Sequence, residues 1–180
     1  MKIFINGFGR IGRTVLRQVL QQDANAIEIV GINDIADADT CAYLLRYDSV
    51  FGAYPHPVEA TEHGLKIGNI SIPLWRVQSI CELDLSGVDV VLECTGKAKD
   101  RQVTEAGLKA GARSVLVSGP SDAVEKTIVL GANEAQLGDE RIVSNASCTT
   151  NAIAPLLCAL DQQLGVDRAH VTTVHCYTGS

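Results

Sequence analysis

The sequence predicts an α/β fold: a doubly wound, mostly parallel sheet, followed by the first helix and strand of a second, α+β unit. Three observations carry that expectation. Short apolar runs alternate with helical-period segments through roughly the first two-thirds of the 180 residues, the pattern of parallel strands joined by crossover helices. A glycine-rich turn separates the first apolar run from the first helical segment. A long apolar-periodic segment then begins at Cys148, where the alternation stops, and divides the chain into units 1–147 and 148–180.

The elements follow in order. Lys2-Ile3-Phe4-Ile5 reads as a short strand, residues 10–22 as a helix, and residues 27–32 as a second strand ending in Asn33-Asp34. A helix is expected over 39–47, and the stretch 52–57 breaks the pattern. Alternating apolar residues over 56–74, with turns at His63-Gly64 and Gly68-Asn69, read as a small antiparallel excursion. Residues 88–93 form a buried strand, 100–110 a helix, 114–117 the next strand and 118–121 a loop. Short strands are expected over 127–130 and 141–144. Ile153, Leu156, Leu157, Leu160 and Leu164 recur at helical spacing after Cys148, with Pro155 inside that helix, where a missing N–H should bend it. Residues 166–177 read as the opening strand of the second unit.

Composition narrows the functional classes. Hydrophobic residues make up 46% of the chain, but no run approaches the length needed to span a membrane. A net charge of −6 gives no electrostatic footprint for nucleic acid. Cys41, Cys81, Cys94, Cys148, Cys158 and Cys176 contain no C-x-x-C pair and no metal-ligand spacing, so no metal is expected. Their setting in an α/β pattern argues for reduced thiols in the cytoplasm. His56, His63 and His170 lie in turn-rich sequence or at a strand start, where surface or structural roles are expected.

Two constellations carry chemistry. In Asn6-Gly7-Phe8-Gly9-Arg10-Ile11-Gly12, the glycines fit G-x-G-x-x-G between a strand and a helix, the Rossmann dinucleotide context. Gly7 permits the tight turn, Gly9 lets a pyrophosphate approach the backbone, and Gly12 lets helix pack closely on strand. Asp34, after the second strand, is placed to accept hydrogen bonds from an adenosine ribose diol. A 2′-phosphate would meet its charge, and Ile35 and Ala36 offer no compensation, so NAD is expected over NADP. A cap for the next helix is the other role open to Asp34. The second constellation is Ser144–Asn151 with His175. Cys148 falls at a helix N-terminus, whose unpaired N–H groups favour a thiolate, and His175 is the base available to it. A buried structural cysteine at a helix cap is the alternative.

The segments 6–12 (NGFGRIG), Asn33-Asp34, Tyr47-Asp48-Ser49, 93–96 (ECTG), 144–151 (SNASCTTN) and 172–178 (TTVHCYT) stand together in one order. In that order the whole chain resembles the N-terminal half of the phosphorylating glyceraldehyde-3-phosphate dehydrogenases, and the SNASCTTN segment is highly specific. Erythrose-4-phosphate dehydrogenase shares nearly all of these motifs. The resemblance implies Cys148 as nucleophile and His175 as base in an NAD-dependent oxidation through a thiohemiacetal and a thioester, which inorganic phosphate attacks. It further implies Ser147 and Thr149 as ligands of the attacking phosphate and Thr178 as a ligand of the substrate phosphate, favouring the triose. Cofactor-lining positions match Asn6, Arg10, Ile11, Asp34, Arg76, Thr95, Gly96 and Ser118. Arg76, in a short context, is equally a solvated loop arginine. Ala152 departs from the pattern, where many members carry a second cysteine. Full-length members are tetramers, and the chain resembles a fragment of one: an NAD-binding unit plus the opening of a catalytic domain. An isolated fragment is expected not to form the tetramer and not to turn over. A dinucleotide-binding module without catalysis is therefore the competing class.

Overall fold

A computed structural model describes residues 1–21 and 26–176. It contains a nine-stranded sheet of order β3-β4-β5-β2-β1-β6-β7-β9-β8. The strands are β1 Lys2–Asn6, β2 Glu28–Asn33, β3 Val58–Thr61, β4 Gly64–Ile67, β5 Ile70–Trp75, β6 Val90–Glu93, β7 Ser114–Val117, β8 Lys126–Thr127 and β9 Ile142–Ser144. Helices α1 Arg10–Gln21, α2 Ala38–Arg46, α3 Arg101–Lys109 and α4 Cys148–Leu164 complete the regular structure, with short 3₁₀ turns at Ile80–Glu82 and Glu134–Gln136. Strands β2, β1, β6, β7, β9 and β8 pair in parallel, and β3-β4-β5 form the expected antiparallel excursion, joined to β2 through β5.

Alternation along the central strands produces the two faces. Ile3 and Ile5 pack with Leu16, Ile32, Leu45 and Leu92 on the side covered by α1 and α2. Phe4, one residue out of phase, packs with Val91, Ala106, Ala110, Val115 and Val117 on the α3 side. Successive strand side chains point to opposite faces, so a sheet covered on both sides needs apolar residues on both, and Ile3-Phe4-Ile5 and Val90-Val91-Leu92 supply them. Each fully buried Leu or Ile, such as Leu16 and Ile5, contributes about 1.5–3 kcal/mol relative to exposure. Helix α2 is capped by Asp37, whose side chain accepts from Thr40 N–H, and α3 by Asp100, which accepts from Gln102 N–H.

Two expectations need correction, and one element that forms as expected is packed unusually. Residues 166–176 form no strand: they are exposed, and among the described residues no strand runs beside them to complete a ladder. The strand expected over 127–130 is the shorter Lys126–Thr127, because the chain turns away where Ala132 and Asn133 N–H both donate to Val129 O. Helix α4 forms over the expected residues and continues through Pro155, yet buries none of its side chains. Leu156, Leu160 and Leu164 of its apolar stripe are exposed.

Candidate active site

One line of register across the sheet places the chemistry. Asn33 of β2 pairs with Asn6 of β1, Asn6 with Glu93 of β6, Glu93 with Val117 of β7, and Val117 with Ser144 of β9. These are the C-terminal ends of parallel strands, and strand order reverses at β1, which is where open α/β sheets leave a ligand crevice.

The glycine turn at the end of β1 meets the steric demands read from its spacing. Gly7 has φ +93°, and a Cβ there would lie 2.6 Å from Thr95 N. A Cβ on Gly12 would lie 2.3 Å from Gly7 O, so helix α1 can approach the turn only without one. Gly9 faces open space. Gly7 and Gly9 line a cavity of ≈ 260 Å³ with Asn6, Asp34, Thr95 and Lys97. The residues therefore fit a dinucleotide: an open backbone approach at Gly9, a helix N-terminus beside it and a carboxylate across the crevice.

Asp34 holds this cradle together. Its Oδ2 accepts from Phe8 N–H at 2.6 Å, and its Oδ1 from Ala36 N–H at 2.9 Å. The capping role open to Asp34 belongs instead to Asp37. Behind the cavity runs a buried polar chain. Asn33 Oδ1 accepts from Val77 N–H, Asn33 Nδ2 donates to Val77 O and to Asn6 Oδ1 (2.9 Å), and Asn6 Nδ2 donates to Glu93 Oε2 at 2.5 Å. Glu93 Oε1 accepts from both Thr95 N–H, at 2.8 Å, and the Thr95 hydroxyl. Burial pushes the Glu93 carboxyl pKa up against these hydrogen bonds, which lower it. The sequence reading gave Glu93 and Asn33 no role of their own; the signal was a polar residue closing each of two apolar strands.

A second cavity, ≈ 440 Å³, is lined by Ile11, Val15, Leu92, Cys94, Leu116, Ser118, Asn145, Ala146, Cys148 and Asn151. Cys94 lines both cavities, so they share a wall. Burial raises its thiol pKa to about 11, leaving it an inert apolar partition.

Cys148 is set by the turn between β9 and α4. Ser144 Oγ donates to Gly119 O and accepts from Ala146 N–H, and buried Ala146 adopts φ +58°. Ser147 caps α4 by accepting from Thr150 N–H at 3.0 Å, and Asn151 Nδ2 ties the turn down through Asn145 O and Ser147 O. Asn145 and Asn151 stand inside the Ser144–Asn151 segment read from the sequence, which gave them no role of their own. Cys148 is thus the first residue of α4, exposed, with its Sγ 3.1 Å from His175 Nε2. His175 Nδ1 lies 2.6 Å from Cys176 O. A carbonyl only accepts, so Nδ1 carries a proton and Nε2 faces the sulfur, as acceptor from a thiol or donor to a thiolate. The His175 contact is the largest influence holding the Cys148 pKa below its usual value, with Thr149 assisting; the same contact raises His175, helped by the Cys176 carbonyl. The helix N-terminus favours the thiolate in the same sense.

The other residues singled out from the sequence divide. Ile11 and Ser118 line the thiol cavity, and Asn6 and Thr95 the glycine-loop cavity. Arg10 and Gly96 are exposed and line neither. Arg76, also exposed, donates to Ile35 O at 3.2 Å, which sets it beside the Asp34 turn. Thr178 lies outside the described residues.

Residues 1–101 match the family described as glyceraldehyde 3-phosphate dehydrogenase, NAD binding domain, and residues 147–180 match the C-terminal domain of the same enzyme. The chain belongs to the glyceraldehyde-3-phosphate dehydrogenase family. NAD is accordingly the cofactor of its Rossmann domain. Among curated relatives, glyceraldehyde-3-phosphate dehydrogenase of Cereibacter sphaeroides is 42% identical over 180 residues, covering 99% of this chain and 54% of the relative. Those of Xanthobacter flavus and Thermotoga maritima are each 43% identical, covering 99% and 98% of this chain and 54% of each relative. The chain spans about half the length of the relatives it matches. Among the described residues no helix is long and apolar enough to cross a membrane.

Proposed function

We propose that the chain carries the cofactor-binding and thiol-bearing part of a phosphorylating dehydrogenase. The reaction is glyceraldehyde 3-phosphate, inorganic phosphate and NAD going to 1,3-bisphosphoglycerate and NADH, a glycolytic step in the cytoplasm. The observation that carries this reading is the 3.1 Å Cys148–His175 contact beside the cavity that also contains Ile11 and Ser118. The Cys148 thiolate attacks the aldehyde carbon, and imidazolium His175 protonates the resulting oxyanion, giving a thiohemiacetal. His175 then takes that hydroxyl proton back through Nε2, with Nδ1 held by Cys176 O. NAD, when bound, supplies the acceptor for the hydride whose departure leaves a thioester on Cys148. A phosphate oxygen attacks the thioester carbon, and Cys148 leaves as a thiolate stabilised by His175 and the start of α4. Ser147 and Thr149 are assigned the attacking phosphate, and Thr178 the substrate phosphate. Asn6, Gly7, Gly9, Arg10, Ile11, Gly12, Asp34, Arg76, Thr95, Gly96 and Ser118 are assigned the cofactor.

Phosphate-dependent NAD reduction with glyceraldehyde 3-phosphate, and with erythrose 4-phosphate as competitor substrate, tests the assignment. Turnover should vanish in Cys148→Ser while NAD binding persists; turnover that survives the substitution overturns the mechanism. A second reading, an NAD-binding module without catalysis, is favoured by the uncovered α4 and the exposed residues 166–176 that carry His175. NAD binding with no turnover by the 180-residue chain supports it.

A further inference from the structure

The cavity at the glycine turn has an unbalanced charge. Asp34 lines it, Glu93 lies buried directly behind its Asn6 and Thr95 walls, and a bound dinucleotide adds the two negative charges of its diphosphate. Arg10, beside the turn in sequence, lines neither cavity, and Arg76 is engaged with Ile35 O. Among the described residues, Lys97 is the one cationic side chain that lines this cavity. Its backbone is fixed at both ends of a turn between β6 and α3: Lys97 N–H donates to Thr95 Oγ1 at 3.2 Å, and Lys97 O accepts from Asp100 N–H at 3.2 Å. Its charge reaches the crevice floor, since it is one of the influences lowering the Glu93 carboxyl. Its ammonium has no carboxylate partner within ion-pair distance among the described residues.

The geometry points to Lys97 as a binding residue for the cofactor's diphosphate, a cation that offsets Asp34 and Glu93 when the dinucleotide enters. This rests on NAD occupying the crevice, and it adds a specificity: ligands gain from Lys97 only if they carry phosphate. A compact ammonium on a flexible stem suits a point-charge contact rather than a bidentate one, so arginine should substitute for it.

Titration calorimetry of the 180-residue chain with NAD, ADP and adenosine, for the unaltered protein, Lys97→Met and Lys97→Arg, decides the matter. Lys97→Met should weaken NAD and ADP by about tenfold, the size of one charge-assisted hydrogen bond, and leave adenosine unchanged. The salt dependence of ADP binding should flatten in Lys97→Met and persist in Lys97→Arg. Equal NAD and ADP affinities in Lys97→Met and the unaltered chain overturn the assignment while leaving the cofactor site standing. A parallel loss for adenosine overturns it too, by showing a general disturbance of the crevice. If the unaltered chain binds neither NAD nor ADP, the cofactor reading itself falls, and Lys97 with it.

Discussion

Replacing Glu93 by Gln tests whether the polar chain under the crevice has a fixed direction. Glu93 is 1% exposed, and as a carboxylate it accepts from three donors: Asn6 Nδ2, Thr95 N–H and the Thr95 hydroxyl. Glutamine keeps the shape but brings an NH₂ in place of one oxygen. If its carbonyl serves Thr95, its NH₂ points at Asn6 Nδ2, donor against donor. Rotating Asn6 passes the conflict to Asn33, and rotating Asn33 passes it to Val77, whose N–H and C=O are both committed. Backbone groups at both ends therefore set the polarity, and one buried donor stays unmatched at a cost of about 1–3 kcal/mol. For a chain of this size that corresponds to a fall in Tm of roughly 2–12 °C. Asn6→Asp with Glu93→Gln reverses the central link: the introduced amide NH₂ donates to the new carboxylate, which still accepts from Asn33. In urea denaturation the double variant should be more stable than Glu93→Gln alone by about 1 kcal/mol or more. It should nonetheless bind NAD more weakly, because the charge has moved to a residue that lines the crevice. A Glu93→Gln protein as stable as the parent, or a double variant no better than the sum of its parts, would refute the fixed polarity. The pH dependence gives a further check. Since burial raises the Glu93 pKa, the folded state holds its proton above the ordinary glutamate value of 4.5, and the stability contributed by this group is lost as pH rises from there through the folded pKa. Glu93→Gln removes that slope.

Limited alkylation followed by mass mapping should label Cys148 ahead of the other five cysteines, with an inflection below the ordinary thiol value of 9.0 that moves up in His175→Asn; Cys41 and Cys94, both raised to about 11 by burial, should resist. NAD should bind more tightly than NADP by calorimetry, and Asp34→Gly should narrow the gap while also destabilising the fold by about 1 kcal/mol, because Phe8 and Ala36 N–H lose their acceptor. Equal affinities in the unaltered chain would remove Asp34 from that role. Light scattering of the 180-residue chain should give a monomer or a dimer rather than a tetramer; a stable tetramer would show that these residues carry the interfaces by themselves.

Much of the fold was legible because its signals were local. Ser114–Val117 is the strand the apolar run defined, the turns at Gly64 and Gly68 bound β4, and Cys148 opens α4 where the capping serine stands before it. The glycine spacing pointed to three distinct steric roles that the backbone then displays. The unread parts were those decided at a distance. Residues 166–177 read as a strand, but a strand exists only through a neighbour, and sequence does not say which neighbour is present. Arg10 stands inside the glycine motif yet lines no part of the crevice, whereas Lys97, 85 residues beyond Gly12, reaches it through the β1–β6 pairing. The Asn33–Asn6–Glu93 chain could not be inferred from three isolated polar letters, because its meaning comes from the register that aligns them.

That alignment has a consequence for how the sheet finds itself. Sliding β1 past β6 by two residues would return every side chain to its own face, since Ile3 and Ile5 share one environment and the pleat repeats every second position. Apolar pattern alone is thus blind to even-numbered slips, and aliphatic strands such as KIFIN and VVLE match almost as well when offset. A slipped pairing, however, strands Glu93 in hydrocarbon with no amide to meet it and leaves Asn6 Nδ2 without its acceptor. The amide–carboxylate link acts as a vernier mark between smooth rulers: it adds little to the strength of the lattice but makes one offset distinguishable from its neighbours. The two asparagines that line the crevice and the glutamate buried behind them therefore also decide where the strands stop sliding.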